Sequence, residues 1–232
     1  MIILKNLSKL EDNLGLKFKD KGLLQQAFVH RSYLNEHPKC GLKDNERLEF
    51  LGDAVLELVV TKHLYGSYSN PEGELTVWRA ALVNSKMLAS TANSLKFNDY
   101  LMLSKGESHD TGRARQFILA NTFEAVVGAI YLDQGFEKAD EFISKHLIKE
   151  LPVILEKKLY HDPKSRFQEK AQDKEGVTPS YEVLGESGPD HAKQFTVGVF
   201  LGEEMIAKGE GPSKQAAQEK AAKAAIKKKG WK

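Results

Sequence analysis

Asn45–Leu58 reads NERLEFLGDAVLEL. At about 100° per residue, Glu46, Glu49 and Asp53 fall within about 60° of one another on one helical face. The surrounding positions are Leu48, Phe50, Leu51, Ala54, Val55, Leu56 and Leu58. A helix apolar nearly all round is packed on most sides, so the pattern predicts buried acids. A buried carboxylate costs several kcal/mol unless a cation, a proton or donors compensate it. Two or three together repel, so either their pKa values rise or a metal ion resolves the conflict. The plainer alternative is a solvated acidic stripe on a surface helix, for which the apolar neighbours leave little room.

Phe117–Asp133, FILANTFEAVVGAIYLD, repeats the arrangement: apolar nearly throughout, with one acid in its middle. Asn121 and Glu124 stand three residues apart and share a face. Two buried helices that each present oxygen ligands at one-turn spacing suit a hard divalent cation such as Mg²⁺. Zinc is not suggested, because Cys40 is the only cysteine and the seven histidines show no ligand spacing.

NERLEFLGDAVL closely resembles the signature of the ribonuclease III family, the double-strand-specific endoribonucleases. As in that family, AFVHRSYLNE (Ala27–Glu36) precedes it and PEGELT (Pro71–Thr76) follows. ILANTFEAVVGAIYLDQGF (Ile118–Phe136) resembles the family's second acidic helix, with Asn121 where many bacterial members have Asp. The motifs occur in the family's order, and the resemblance extends over essentially the whole chain.

Composition is that of ordinary globular material. The 232 residues, 28% charged and 41% hydrophobic, suffice for one sizeable core and a second small domain. No apolar run approaches the ~20 residues that span a bilayer, and MIILK is too short for a signal-peptide core, so a cytoplasmic chain with no membrane partner is expected. A single cysteine allows no intramolecular disulfide. The net charge of +2 does not by itself suggest nucleic acid. Residues 162–232 hold 13 Lys and Arg against 11 Asp and Glu, concentrated in KAAKAAIKKKGWK, a type of tail that is more often solubilising than functional.

Periodicity is helical up to about residue 155, which predicts an all-α domain over 1–156. Helices are expected at the end of Leu14–Phe28, over Asn45–Tyr65 up to Gly66, and over Glu74–Leu95. Further ones are expected over Phe97–Leu103, Phe117–Asp133, Glu137–Leu147 and Leu151–Leu159, with a loop at 106–112. Trp78 and the spaced Phe residues read as core, and His30-Arg31-Ser32 reads as a structural hydrogen-bond cluster. A linker is placed at 157–161. Asp162-Pro163 then starts a helix to about Lys174, followed by period-2 runs at Ser180–Ser187, Lys193–Gly202 and Glu204–Gly211. An alanine-rich helix opens at Ser213. The order over 162–230 is α-β-β-β-α.

This second part resembles the double-stranded RNA-binding domain. Gln168 and Glu169 occupy the helix position that meets a minor groove in that family. Pro189 and His191, in the first β-turn, fill the place of the loop that enters the next minor groove. Ser213 and Lys214 match the start of the phosphate-contacting motif. The geometry suits duplex RNA, which is read across minor grooves and phosphates because its major groove is too narrow. Gln215 and Gln218 stand where family members often carry basic residues, so modest RNA binding with a shallow salt dependence is expected.

The resemblance implies a Mg²⁺-dependent endoribonuclease that hydrolyses phosphodiesters of double-stranded RNA to 5′-phosphate and 3′-hydroxyl ends, in rRNA and mRNA processing and turnover. Mn²⁺ would substitute for Mg²⁺, and no small-molecule cofactor is implied. It assigns Glu49, Asn121, Glu124 and Asp53 to the metal, Asp53 and Glu124 to catalysis, and Glu46 and Glu72 to secondary cleft positions. It also implies a homodimer. The alternative is a non-catalytic duplex-RNA-binding protein that retains the fold.

Overall fold

The structure is a computed structural model that describes residues 7–157, 159–160, 163–189 and 193–231. His191, Asp162 and parts of the 157–161 segment lie outside the described residues. The chain divides into two compact units, 1–160 and 161–232.

The first unit is helical: α1 (Leu7–Leu14), α2 (Lys21–Ala27), α3 (Arg31–Glu36), α4 (Glu46–Ser67), α5 (Glu72–Val83), α6 (Ser85–Ser94), α7 (Lys105–His109), α8 (Arg113–Gln134), α9 (Phe136–His146) and α10 (Leu151–Glu156). Short 3₁₀ turns at Phe97–Tyr100 and Ile148–Glu150 link some of them, and one parallel β-bridge joins Val29 to Met102. Helix α8 is the central post. Ile118, Leu119, Phe123, Val126, Val127 and Ile130 bury around most of its circumference, and a row of rings, Phe28–Phe97–Phe123–Phe142, runs through the core at 5.1–6.3 Å spacings.

Helix α4 packs on α8 at backbone contact. A Cβ on Gly52 would collide with the Glu124 carbonyl, and one on Gly128 with the Leu48 carbonyl. The expectation that α4 is enclosed on most sides is corrected here. Leu48, Val55, Leu56, Val59, Val60 and Leu64 bury toward the core, whereas Phe50 (82% exposed), Leu58 (56%) and Tyr65 (83%) face outward. No described element of this chain covers that stripe, so these residues, and Phe117 at 43%, are not core.

Local chemistry accounts for the other departures. The single helix expected over Glu74–Leu95 breaks at Asn84, whose extended backbone and side chain, accepting from Met87 N at 3.0 Å, cap α6. Ser104 caps the short α7 inside the expected loop by accepting from Glu107 N at 3.2 Å. Gly66 does not end α4, since one exposed helical Gly costs only about 1 kcal/mol. Helix α1 has no counterpart in the sequence reading. Its Glu11 is 2% exposed and tolerated because it accepts from Phe18 N at 2.9 Å and pairs with Lys21 at 3.5 Å.

The second unit places α11 (Pro163–Glu175) and α12 (Lys214–Lys229) on one face of an antiparallel sheet in the order β1 (Ser180–Ser187), β2 (Gln194–Leu201), β3 (Glu204–Gly211). Val199, Leu201 and Ile206 meet Phe167, Ala171, Ala221, Ala222 and Ala225, and Trp231 stacks on Phe167 at 5.3 Å. The alanine tract has a packing reason. A Cβ on Gly209 would collide with the backbone of Ala217 and Ala221, so α12 lies directly on β3.

Gly52→Ala should destabilise the protein by roughly 3 kcal/mol, because backbone cannot retreat as a side chain does. Gly66→Ala, where nothing lies within 4 Å of the added methyl, should stabilise by about 0.5–1 kcal/mol. Urea unfolding midpoints check both, and equal midpoints for the two variants would refute the contact's importance.

Candidate active site

On α4 the acids occupy the boundary between two sectors. Around the helix wheel, Glu49 lies nearest the buried Gly52–Leu56 ridge, while Glu46 and Asp53 lie nearer the exposed Phe50–Leu58 stripe. Glu49 is accordingly half-buried, and Glu46 and Asp53 are exposed. Full burial of the three acids, as expected from the sequence, is therefore corrected. Their apolar neighbours divide between a core side and an open side. On α8, Asn121 and Glu124 share a face with Gly128, the residue in contact with α4, and both are half-buried. The glycine contact thus turns the polar positions of the two helices toward each other.

The acids act on one another electrostatically. Burial raises the Glu49 pKa, a hydrogen bond from the Asn121 side chain opposes the rise, and the charges of Glu46 and Asp53 add to it. Glu124 is pushed up to about 8, first by burial and then by Asp53 and Glu49. Glu46, Glu49, Asp53, Asn121 and Glu124 therefore form one group. Among the described residues, no three His, Cys, Asp or Glu side chains are arranged to hold a metal ion. The donor set is nonetheless all hard oxygen, with Asn121 contributing an amide. Glu124, proton-bound at neutral pH, has the affinity for positive charge that a cation would satisfy.

Glu72 is not among the charges acting on that group. It opens α5, accepts from Thr76 Oγ1 at 2.9 Å, and lines a cavity of about 910 Å³ with Tyr65, Tyr68 and Arg79. The segment at residues 30–32 is a hydrogen-bond cluster. His30 Nδ1 meets Ser32 Oγ at 2.8 Å and accepts from Ser32 N, and Ser32 Oγ accepts from Ser104 N at 3.0 Å. Arg31 Nη1 donates to Glu46 Oε1 at 3.1 Å. The sequence reading did not connect Arg31 to the acids, since fifteen residues separate the two partners along the chain.

In the second unit, Gln168 and Glu169 are exposed on α11, beside Ser165, Gln172 and Asp173. Pro189 is exposed after β1. The Ser213 hydroxyl caps α12 by accepting from Ala216 N at 3.2 Å. The ammonium of Lys214 lies 5.8 Å over the Phe195 ring, which Lys193 also approaches at 5.9 Å. Gln218, neutral where a basic residue would add charge, accepts from Lys164 Nζ at 2.7 Å.

Residues 20–151 match the Ribonuclease-III-like family model, and residues 163–229 match the double-stranded RNA binding motif. This chain belongs to the ribonuclease III family. It is an endoribonuclease of that type. A Ribonuclease 3 from a Nitratiruptor species is 45% identical over 225 residues, covering 97% of each chain. One from Oceanobacillus iheyensis is 44% identical over 224 residues, covering 95% of this chain and 97% of that one. The solved nuclease domain of ribonuclease III from Campylobacter jejuni, described as having structural flexibility in a region involved in dimer formation, is 43% identical with a TM-score of 0.57. It covers 63% of this chain and 99% of that one. No described helix is long and apolar enough to cross a membrane.

The Glu124 shift has a stability consequence of definite sign. Folded, its carboxyl holds a proton up to about pH 8; unfolded, it releases it near 4.5. The fold therefore binds more protons between those values, and this contribution to stability is lost as pH rises toward 8. His146, lowered to about 4 by burial and then by Lys145 and Lys149, acts oppositely, but only up to about its ordinary 6.5. Between pH 7 and 9 in EDTA the wild type should lose roughly 1 kcal/mol of unfolding free energy. Glu124→Gln should flatten the profile, as urea titrations would show. A wild-type profile already flat would contradict a desolvated Glu124.

Proposed function

We propose that this ribonuclease III-family chain hydrolyses phosphodiesters of double-stranded RNA with Mg²⁺, leaving 5′-phosphate and 3′-hydroxyl ends, and that it processes rRNA and mRNA precursors in the cytoplasm. The observation that carries the chemistry is the raised proton affinity of Glu49 and Glu124, to which the Asp53 charge adds, on two helices in backbone contact. Glu49, Glu124, Asp53 and the Asn121 amide oxygen would hold the cation. Bound there, Mg²⁺ would lower the pKa of water and offset charge on the phosphate. Asp53, exposed and beside Glu124, orients the attacking water. Glu124, half-buried, holds its place through the packing of α8. Glu46 takes a secondary position beside the acid group, and Glu72 one at the separate cavity at the start of α5.

The active form we propose is a homodimer. Phe50, Ala54 and Leu58 make an exposed apolar stripe on α4 beside the acids, and Tyr65 is exposed two turns further along. Exposed apolar patches of this kind mark interaction surfaces. A second copy would cover the stripe and set two acid groups along one valley, one for each RNA strand. The second unit, bounded at 162–230, supplies RNA affinity through Gln168, Glu169, Pro189, His191, Ser213 and Lys214.

Asp53→Ala and Glu124→Ala should each abolish cleavage of a long duplex RNA while leaving binding and dimerisation within about twofold, as gel assays and light scattering would read. Cleavage that persists in excess EDTA overturns the metal assignment. Asn121→Asp adds a unit of negative charge, so the Mg²⁺ concentration for half-maximal single-turnover cleavage should fall. Superimposable titrations would remove residue 121 from the ligand set. If the natural sequence is inactive at every Mg²⁺ and Mn²⁺ level and Asn121→Asp restores cutting, the chain is the non-catalytic duplex-RNA binder.

A 1–158 fragment should still cut duplex RNA at low salt and lose activity sooner than the whole chain as salt rises, because phosphate contacts are missing. The same salt profile for both would refute the role given to the second unit.

A further inference from the structure

The charges that act on Glu49 and Glu124 are carboxylates: Glu46 and Asp53 on the first, Asp53 and Glu49 on the second. A polyanionic strand entering such a group meets like charge, which costs binding unless cations at the rim offset it. Arg31 stands at that rim. It is the first residue of α3, and its guanidinium reaches Glu46 Oε1 at 3.1 Å while the side chain stays 67% exposed. Among the described residues, Glu46 is its only hydrogen-bond partner. Glu46 lies one helical turn before Glu49.

The surrounding segment does not depend on this ion pair. His30 caps α3 by accepting from Ser32 N, Ser32 Oγ accepts from Ser104 N at 3.0 Å, and the Glu36 carboxylate accepts from Lys105 N at 3.2 Å. The backbone beneath Arg31 is thus held from two sides, while the guanidinium has a single contact in water. An exposed pair of this kind contributes about 0–1 kcal/mol, so exchanging a carboxylate for a phosphate partner costs little. The planar fork of guanidinium donors matches two phosphate oxygens, and an ammonium does not reproduce it.

We propose that Arg31 is a phosphate-contact residue: its guanidinium turns from Glu46 to a backbone phosphate of the RNA strand lying in the acidic cleft. The assignment rests on the duplex-RNA reading above and adds to it a substrate contact on the nuclease unit. Glu46 acts as the resting partner that keeps Arg31 at the rim when RNA is absent.

The test uses the full chain and a fluorescent duplex RNA of about thirty base pairs, enough to pass well beyond the ~16 base pairs that one RNA-binding domain spans. Binding is read by anisotropy in EDTA and in Ca²⁺ over a range of KCl. Arg31→Ala should weaken binding roughly tenfold near 0.1 M salt and reduce the log–log salt slope by about 1, with an unchanged melting temperature. Arg31→Lys should recover only part of the affinity. Glu46→Gln should tighten binding, and the gain should shrink to half or less when Arg31 is also Ala. Wild-type affinity and slope in Arg31→Ala overturn the proposal, as does weaker binding with an unchanged slope and a lower melting temperature. A wild type that does not bind the duplex refutes both readings. A wild type that binds with the expected Arg31 dependence but never cuts with Mg²⁺ or Mn²⁺ refutes the nuclease chemistry alone.

Discussion

The contact between Gly52 and Gly128 is the constraint on which the acidic site depends. Neither position has room for a methyl group, because the opposing atoms are backbone carbonyls of Glu124 and Leu48. Two helices held this close cannot slide or rotate past each other without losing the fit, since backbone has no alternative rotamers. The polar residues flanking the contact inherit that rigidity. Glu49 and Asp53 flank Gly52, Glu124 precedes Gly128 by one turn, and Asn121 reaches Glu49 with its amide. A longer interaxial distance would have let solvent separate the carboxylates and relax their repulsion. Held as they are, Glu124 retains its proton to about pH 8.

This arrangement gives α4 three sectors with different tasks. The Val55–Leu56–Val59–Val60 ridge enters the core, the Phe50–Leu58 stripe faces out, and the acids lie on the line between them. Placing carboxylates on a boundary solves an energetic problem. Deep burial would neutralise them, and full exposure would screen them and weaken their grip on a cation. Half-burial raises the proton affinity of Glu49, while Glu46 and Asp53 stay exposed on the open side from which a substrate can approach. The same boundary brings Arg31 to Glu46, so the site carries a cation at its edge and acids within.

Glycine and alanine have a related part in the second unit. There Gly209 and the Ala217–Ala221 side of α12 allow helix and strand to meet at the backbone. The small residues consume no surface beyond the contact. Polar and basic groups on α11 and at the start of α12, among them Gln168, Glu169, Lys164 and Lys214, remain outside the core. The neutral Gln218 lies under the Lys164 ammonium, so positive charge is present beside a position where the α12 sequence has none.

The sequence by itself determined the main elements and the family. Period-2 runs at Ser180–Ser187 and Glu204–Gly211 coincide with β1 and β3, and the two acidic motifs coincide with α4 and α8, because these depend on local periodicity and on short, dense motifs. Polar residues in apolar helices also marked Glu49, Asn121 and Glu124 as unusual. The tertiary structure decided which apolar residues are core. Phe50 and Val55 look alike in sequence, but one faces solvent and the other lies in the core, and composition does not say where a neighbouring helix ends. It decided the break at Asn84, where one side-chain hydrogen bond outweighs a continuous helical pattern. It also decided the charge environment of the acids and the meeting of Arg31 with Glu46. Proton affinity depends on distance and solvent access, and both are set only when α3, α4 and α8 come together.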